Sequence, residues 1–344
     1  MANQRTEIGE LGEFGLIDHL TKNFETYHAS TILGVGDDAA VIDHLGKQTV
    51  ITTDLLLEGI HFDLAYTPLK HLGYKAIVVN LSDIYAMNAM PTQVTVSLGI
   101  SNRFSVEALD EMYEGIYLAC ERYKVDLVGG DTSSSNKGLI ISVTAIGEAV
   151  PEKLVKRSTA GKGDLICVSG DLGGAFLGLT LMEREKKIFA ENPQIQPDLE
   201  NESYIVGRLL KPEARKDIID FFEQQEILPT SMMDVSDGIS SEVLHLCRQS
   251  NLGCLIYEEK IPVAEPARSA AFKFGLDPTV CALNGGEDYE LIFTLKQEDH
   301  DKIVLNEEIS VIGYMTELEE GCNLFTRGGN RFPISAQGWN AFQK

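Results

Sequence analysis

Residues 50–62 read VITTDLLLEGIHF, a run in which β-branched and aliphatic residues surround a single aspartate, Asp54. This composition is typical of a buried strand. The same arrangement recurs along the chain, where apolar runs meet aspartates that lie beside Gly, Ser or Thr. The other examples are Asp37 and Asp38 in GVGDDAAV, Asp83 in VNLSDIYAM, Asp131 in VGGDT, and Asp234 and Asp237 in MMDVSDG. We therefore expect the chain to bury its strands and to present these carboxylates at the rim of a sheet.

The segments between these runs alternate between helical and extended patterns. Apolar positions at spacings of three and four predict helices over 10–24, 69–90 and 105–123. VDLVGGD, residues 125–131, is typical of a strand that ends in a glycine turn, and 139–150 predicts another strand. The expected class is α/β (α+β) with two sheets.

A change in composition follows Val150. The stretch PEKLVKRSTAGKGD is polar and contains Pro, Gly and charged residues, as connections between domains do. The second half then alternates strands and helices again. We therefore predict two domains, 1–150 and 151–344.

Charge and composition exclude some classes of protein. The 344 residues include 29 basic and 52 acidic side chains, a net charge of −23, which disfavours nucleic acid as a partner. No apolar run reaches the roughly 18 residues of a membrane span, and the start MANQRTEIGE lacks the pattern of a secretory signal. The expectation is a cytoplasmic protein with no membrane partner. Six cysteines without a C-x-x-C pair predict reduced, mostly buried thiols: Cys120, Cys167, Cys247, Cys254, Cys281 and Cys322.

Clustered carboxylates favour a divalent cation. Neighbouring carboxylates repel one another, and Mg²⁺ relieves the repulsion through oxygen ligands while it also binds substrate phosphates. The alternative for any one aspartate is a cap on a helix or turn. At the glycine-rich turn GDLGGAFLG, residues 170–178, two interpretations also stay open, backbone amides that bind phosphate or a turn that only packs.

Other familiar sites are not supported by the sequence. GVGDDA fits the dinucleotide fingerprint G-x-G-x-x-G/A only superficially, because two aspartates would face the pyrophosphate. There is no P-loop, no zinc-type histidine spacing and no nucleophile motif. We therefore predict no catalytic protein nucleophile, and if the protein binds a nucleoside triphosphate, we expect it to do so through carboxylates and magnesium rather than through a P-loop.

Six motifs in this order resemble the thiamine-monophosphate kinase family, part of the aminoimidazole ribonucleotide synthetase-like superfamily. They are GVGDDAAV, TTDLLLEGIHF, KAIVVNLSDIYAMNAMP, LVGGDT, DVSDGISSE and NGGEDYEL. The resemblance spans nearly the whole chain. It implies that an N-terminal domain forms a homodimer, and that ATP and several Mg²⁺ ions lie between the domains of each subunit. It further implies direct transfer of the ATP γ-phosphoryl group to thiamine monophosphate, which gives thiamine diphosphate and ADP.

The resemblance also implies residue roles. It assigns to magnesium Asp38, Thr52, Thr53, Asp54, Asp83, Asp131, Asp234 and Asp237. It assigns to ATP Tyr113, Gly130, Asp131, Arg157 and Ser236, and to thiamine monophosphate His61, Glu287 and Trp339. One departure is Asn284 in NGGED, where the family pattern has serine.

Three alternatives remain at this point. Other ATP-dependent members of the superfamily are disfavoured, because residues 1–34 lack the cysteine of selenophosphate synthetase and WNAFQK is not the cysteine tail of the hydrogenase maturation protein. A non-catalytic sensor of ATP or thiamine phosphates could lose several of these aspartates, yet all are present. A calcium scaffold would need an EF-hand loop, which the sequence lacks.

Overall fold

The computed structural model describes residues 31–33, 37–44, 46–101, 103–197 and 199–337. The helix predicted over 10–24 and the side chain of Trp339 lie outside these residues. The chain forms two sheets with helices packed between and around them. The first sheet contains β1 (Thr31–Leu33), β2 (Ala40–His44), β3 (Lys47–Leu57), β4 (Met90–Ile100), β5 (Asp126–Ser134) and β6 (Ile140–Ala149). The second contains β7 (Leu165–Ser169), β8 (Ser231–Asp234), β9 (Gly253–Tyr257), β10 (Leu291–Leu295), β11 (Ile309–Thr316), β12 (Cys322–Phe325) and β13 (Arg331–Pro333).

The helices of the described residues complete this mixed architecture and confirm the expected α/β (α+β) class. They are α1 (Leu69–Ala86), α2 (Val106–Tyr123), α3 (Gly174–Glu191), α4 (Ser203–Leu210), α5 (Lys216–Gln224), α6 (Ile239–Ser250), α7 (Glu265–Lys273), α8 (Pro278–Asn284) and α9 (His300–Ile303). None of the helices in this part of the chain is long and apolar enough to cross a membrane.

Both sheets are mostly antiparallel. The first has the order β1-β2-β3-β6-β4-β5, in which only the β4–β5 pair is parallel. The second has the order β13-β12-β9-β11-β7-β10-β8, in which only the β12–β9 pair is parallel. Since the first sheet uses residues 31–149 and the second 165–333, the predicted connection after Val150 lies between them. The division into two domains stays a prediction.

Two sequence-based boundaries are wrong. Helix α1 ends at Ala86 rather than near Met90, because Asn88 has a left-handed φ of 53° and turns the chain into β4. The glycines after Val128 do not form a turn, because β5 continues through both of them to Ser134. Gly130 is required there, since a Cβ at this position would lie 1.8 Å from the Val96 carbonyl oxygen on β4.

Helix α1 lies between the two sheets and explains why they share one core. It contacts β3 and β6 on one side and β8 on the other. Its apolar side chains, such as Ile77 and Leu81, are fully buried in a core that also contains Val143 of β6 and Phe293 of β10. Polar residues on α1 are therefore placed where the two sheets meet.

Helices α1 and α2 touch backbone to backbone at two glycines. A Cβ at Gly115 would lie 1.9 Å from the Lys70 carbonyl oxygen, and one at Gly73 would lie 1.9 Å from that of Met112. Neither backbone can yield without separating the helices.

We therefore expect Gly115→Ala to lower the free energy of unfolding by about 3 kcal/mol, because overpacking forces the backbone to shift. Urea unfolding measures it. The control is Gly207→Ala in α4, where a Cβ meets nothing within 4 Å. That change should be neutral or stabilising by up to about 1 kcal/mol. Equal effects of the two changes would contradict the close helix contact.

Candidate active site

Three aspartates from distant parts of the chain meet where the two sheets join. Asp38 precedes β2, Asp83 lies in α1, and Asp234 ends β8. One carboxylate oxygen from each lies within 4.8 Å of the others. We call Asp38, Asp83 and Asp234 the carboxylate cluster.

Asp54 of β3 lies beside this cluster. Burial raises the pKa of Asp54 to about 6, and the neighbouring Asp234 charge adds to the rise. Burial, together with the charges of Asp54 and Asp234, also raises the pKa of Asp83 well above its ordinary value. Four carboxyl groups therefore repel one another in a place that water reaches poorly, as the sequence leads us to expect.

Neutral polar side chains orient two of these carboxylates and fix the strand that carries Asp54. The Thr52 hydroxyl donates to Asp83 Oδ2 at 2.6 Å. The Ser82 hydroxyl donates to Asp234 Oδ2 at 2.8 Å, and the Asp54 amide donates to Asn80 Oδ1 at 3.0 Å. Because Thr52 lies on β3, and Ser82 and Asn80 lie on α1, these hydrogen bonds connect the acidic groups to two packed elements of the fold.

Arg157 supplies positive charge at one side of the cluster. Its guanidinium pairs with Asp38, its Nε lies 3.4 Å from Asp37 Oδ1, and its amide donates to Asp37 Oδ2 at 3.1 Å. Burial still raises the pKa of Asp37 to about 6 against this attraction. Asp38 Oδ2 is buried and has no hydrogen-bond partner within the described part of the chain. One oxygen of the cluster is thus left with unused ligand capacity.

A second polar group surrounds Glu287. The buried Lys75 ammonium of α1 donates to Glu287 Oε2 at 3.0 Å and to the Leu209 carbonyl at 3.1 Å. His61 Nδ1 accepts from the Leu57 amide at 3.0 Å. Burial lowers the pKa of His61, although the nearby Glu287 charge opposes the fall. His61 and Glu287, both predicted to face the substrate, are therefore neighbours.

The loops that carry DVSDG and NGGEDYEL lie against each other. The Glu287 amide donates to the Ser236 carbonyl at 2.7 Å, and the Tyr289 amide donates to that of Val235 at 2.9 Å. A Cβ at Gly286 would lie 2.3 Å from the Ser236 carbonyl oxygen, so only glycine allows this approach. Ser236 and Asp237 are in this way brought beside Glu287.

Several predicted residues lie elsewhere. The strand register aligns Gly130 with Val96, Val143 and Asp54, and it aligns Asp131 with Ser97, Ser142 and Leu55. Asp131 thus belongs to the opposite face of the sheet from Asp54, three strands away or about 14 Å across the sheet.

Thr53 and Tyr113 also lie apart from the cluster. The Thr53 hydroxyl donates to the Val143 carbonyl on the exposed face, where Thr144 Oγ1 lies 3.1 Å away. Tyr113 lies on α2, with its ring 6.0 Å from that of Tyr117. The roles implied for Asp131, Thr53 and Tyr113 stay predictions, as does that of Trp339.

Comparison with known proteins identifies relatives of this chain. The profile "AIR synthase related protein, N-terminal domain" matches residues 36–149. A thiamine-monophosphate kinase from Aquifex aeolicus is 35% identical over 97% of this chain and 99% of its own length. The chain belongs to the thiamine-monophosphate kinase family. A second member, from Bacillus subtilis, is 31% identical over 97% of this chain and 100% of its own length. The solved structure "AaThiL complexed with AMPPCP and TMP" superimposes with a TM-score of 0.84 at 33% identity, and covers 99% of this chain and 100% of that one.

The sequence analysis did not single out four polar residues that lie at or near the site. Lys75, Asn80 and Ser82 lie on one buried helix, where the only signal was the presence of polar residues in the apolar run YKAIVVNLSD. Glu242 is also buried, and its Oε1 accepts from the Asp237 amide at 2.8 Å. Its pKa is raised well above the ordinary value by burial and by the Asp237 charge.

Two amides of the glycine turn before α3 are bonded to a carboxylate of this chain. Asp288 accepts from the Gly173 amide at 2.7 Å and from the Ala175 amide at 3.3 Å. The kinase-family motif NGGEDYEL thus caps this helix through its own aspartate. Of the two interpretations of residues 170–178, the packing turn is supported.

The Asp288 carboxyl predicts a pH dependence of stability. Burial raises its pKa from the ordinary 3.8 to about 7, against the attraction of Arg208 and the two amides. Between about pH 4 and pH 7 the folded chain therefore keeps a proton that the unfolded chain has lost, so stability falls as the pH rises through this window.

Asp288→Asn should flatten the profile by about 2–4 kcal/mol over that range. Urea unfolding at several pH values measures the difference from wild type. Asp277→Asn is the control, because Asp277 caps the exposed start of α8 and asparagine caps equally well. Parallel pH profiles for wild type and Asp288→Asn would contradict the raised pKa.

Proposed function

We propose that this chain catalyses the ATP-dependent phosphorylation of thiamine monophosphate to thiamine diphosphate at the carboxylate cluster. The observation that carries the proposal is the convergence of Asp38, Asp83 and Asp234 from three elements, at the point where both sheets meet. The similarity to a kinase structure with an ATP analogue and TMP supports the identity of the two substrates.

Magnesium fits this donor set. The cluster offers only carboxylate oxygens, which are ligands that Mg²⁺ prefers. Asp38 Oδ2 is buried and has no hydrogen-bond partner among the described residues, and the raised pKa values of Asp54 and Asp83 show that their ionised forms are unfavourable until a cation compensates them. We propose Asp38, Asp54, Asp83 and Asp234 as its ligands. When bound, Mg²⁺ neutralises and positions the phosphates of donor and acceptor.

The other residues prepare the site for two anionic substrates. Thr52 and Ser82 fix two carboxylates of the cluster and Asn80 fixes the backbone at Asp54 before substrate arrives, so little reorganisation accompanies transfer. Arg157 pairs with Asp38 and places a guanidinium where it can also donate to a phosphate oxygen. The acceptor phosphate is itself largely ionised near pH 7, with a second pKa of about 6, so a strong protein base is not required.

We assign the acceptor to the side of Glu287. Its carboxylate is held by the buried Lys75, and Glu287 has a left-handed φ of 64° that fixes its direction. His61 lies close by with a lowered pKa, so its neutral ring can pack against an organic cation. A carboxylate paired with an uncharged ring suits the cationic thiazolium end of thiamine monophosphate.

We further propose that two copies pair through the open face of the first sheet. Leu55 and Val128 on β3 and β5 are 52% and 57% exposed on the described chain. Leu55→Glu should convert a dimer to a monomer in analytical ultracentrifugation, because a buried charge at an apolar interface is costly. A monomeric wild type would contradict this proposal. Since ATP is the proposed donor, we place the activity in the cytoplasm.

The proposed activity is tested by incubating the purified chain with ATP and Mg²⁺ and supplying thiamine monophosphate, thiamine or no acceptor. Chromatography should show equal amounts of thiamine diphosphate and ADP with thiamine monophosphate alone, and neither product after EDTA is added. ADP without thiamine diphosphate would assign the site to a different acceptor. Binding of both ligands without any product would make the chain a sensor.

A further inference from the structure

A group of three cysteines lies away from the carboxylate cluster, in the core of the second sheet. Cys247 is on α6, Cys254 on β9 and Cys322 on β12. Their three Sγ atoms lie within 4.8 Å of one another. The other cysteines, Cys120, Cys167 and Cys281, lie in different parts of the core. We call Cys247, Cys254 and Cys322 the thiol cluster.

We propose that the thiol cluster binds one thiophilic divalent cation of the zinc class through three thiolates. In a zinc site with Zn–S bonds of about 2.3 Å, neighbouring sulfurs are about 3.8–4.0 Å apart. The thiol cluster therefore needs to contract by no more than about 1 Å to match this size. All three sulfurs participate, whereas a disulfide would join two and exclude the third.

The strand pairing holds two of the ligands in register. Cys322 is the direct partner of Cys254 in the parallel β12–β9 pair, so their side chains point to the same face. Cys247 approaches from α6, which packs on that face through Val243 and Leu246. A cation here would connect the β12–β13 hairpin to a helix and to the centre of the second sheet.

A backbone amide and a route to solvent adjoin the thiol cluster. The Asn323 amide donates to the Cys254 sulfur, a contact of the kind that supports metal-bound thiolates. Cys322 is partly exposed, which leaves a path for the ion and a fourth position for water.

The test measures zinc bound to the full chain. The protein is stripped with a chelator under a phosphine reductant, then dialysed against zinc in the presence of excess Mg²⁺, which occupies the carboxylates. We expect about one zinc per chain in wild type and at least a 100-fold weaker affinity in Cys322→Ala and Cys247→Ala. Cys281→Ala, a buried cysteine outside the thiol cluster, should bind zinc as wild type does.

Two further measurements keep the proposal independent of how well the variants fold. In wild type, zinc should protect Cys322, the partly exposed member of the thiol cluster, from alkylation, and Co²⁺ should give sulfur-to-metal charge-transfer absorption. The ion should also survive Asp83→Asn, which separates this site from the proposed kinase site. Zinc content equal in wild type and Cys322→Ala, loss of the zinc in Asp83→Asn, or a disulfide within the thiol cluster in the reductant-treated chain would each overturn it.

Discussion

Asp83→Asn is expected to lower kcat/KM for thiamine monophosphate by about 1,000-fold, or about 4 kcal/mol, while the chain stays at least as stable as wild type. The charges of both Asp54 and Asp234 act on the Asp83 carboxyl. Asparagine has the same shape and still accepts from the Thr52 hydroxyl. The change thus removes a ligand charge and a source of repulsion, and leaves the packing intact.

Three readouts separate this from a general loss of folding. Mg²⁺ should raise the melting temperature of wild type but not of Asp83→Asn, because a ligand stabilises only the state that binds it. In EDTA the variant should melt no earlier than wild type. The control Asp110→Asn, on the exposed side of α2, should change neither activity nor melting. An Asp83→Asn enzyme with more than about a tenth of wild-type activity would refute the ligand role.

Arg157→Met is expected to lower the free energy of unfolding by about 3–5 kcal/mol in EDTA. The change removes the guanidinium that pairs with Asp37 and Asp38, and it leaves both carboxylates buried without a positive partner. Added Mg²⁺ should restore part of this loss by supplying positive charge to Asp38. Activity should fall by about 100-fold, since the guanidinium also faces the proposed phosphate position. Urea unfolding with and without Mg²⁺ measures the first effect, and the product assay measures the second.

Two comparison variants separate the charge of Arg157 from its shape, and a buried ion pair from an exposed one. Arg157→Lys keeps the charge but loses the planar fork, so it should recover most of the stability and little of the activity. Lys162→Met removes a lysine from an exposed pair with Glu317 in the same connection, and it should cost less than about 1 kcal/mol. If Arg157→Met and Lys162→Met proved equally mild, the buried ion pairs would have no structural role.

The sequence was most informative about residue types near the site. Apolar runs with embedded aspartates predicted that these carboxylates cluster at the rim of a sheet, and in the structure Asp38, Asp83 and Asp234 meet with Asp54 beside them. Their positions differ from the expected strand ends, because Asp54 lies within β3 and Asp83 lies within α1. The local sequence pattern indicates which segments are buried. Whether a residue lies in the middle or at the end of a strand or helix depends on where that element ends, which the local pattern does not show.

Contacts between distant segments could not be predicted in this way. Asp131 belongs to a similar motif, yet strand pairing places it on the other face of the sheet from Asp54. Lys75 is a lysine in an apolar helix, and only the loop at Glu287, more than 200 residues later, gives it a partner. The turn at residues 170–178 resembled a phosphate site until Asp288 was found to occupy its amides.

The central claim is a single direct phosphoryl transfer at the carboxylate cluster, without a covalent protein intermediate. The most direct test uses ATP that oxygen isotopes make chiral at the γ-phosphorus. The measurement is the configuration of the transferred phosphorus in the thiamine diphosphate product. One in-line displacement predicts inversion. Retention would mean two successive displacements through a phosphorylated side chain, and would contradict the account.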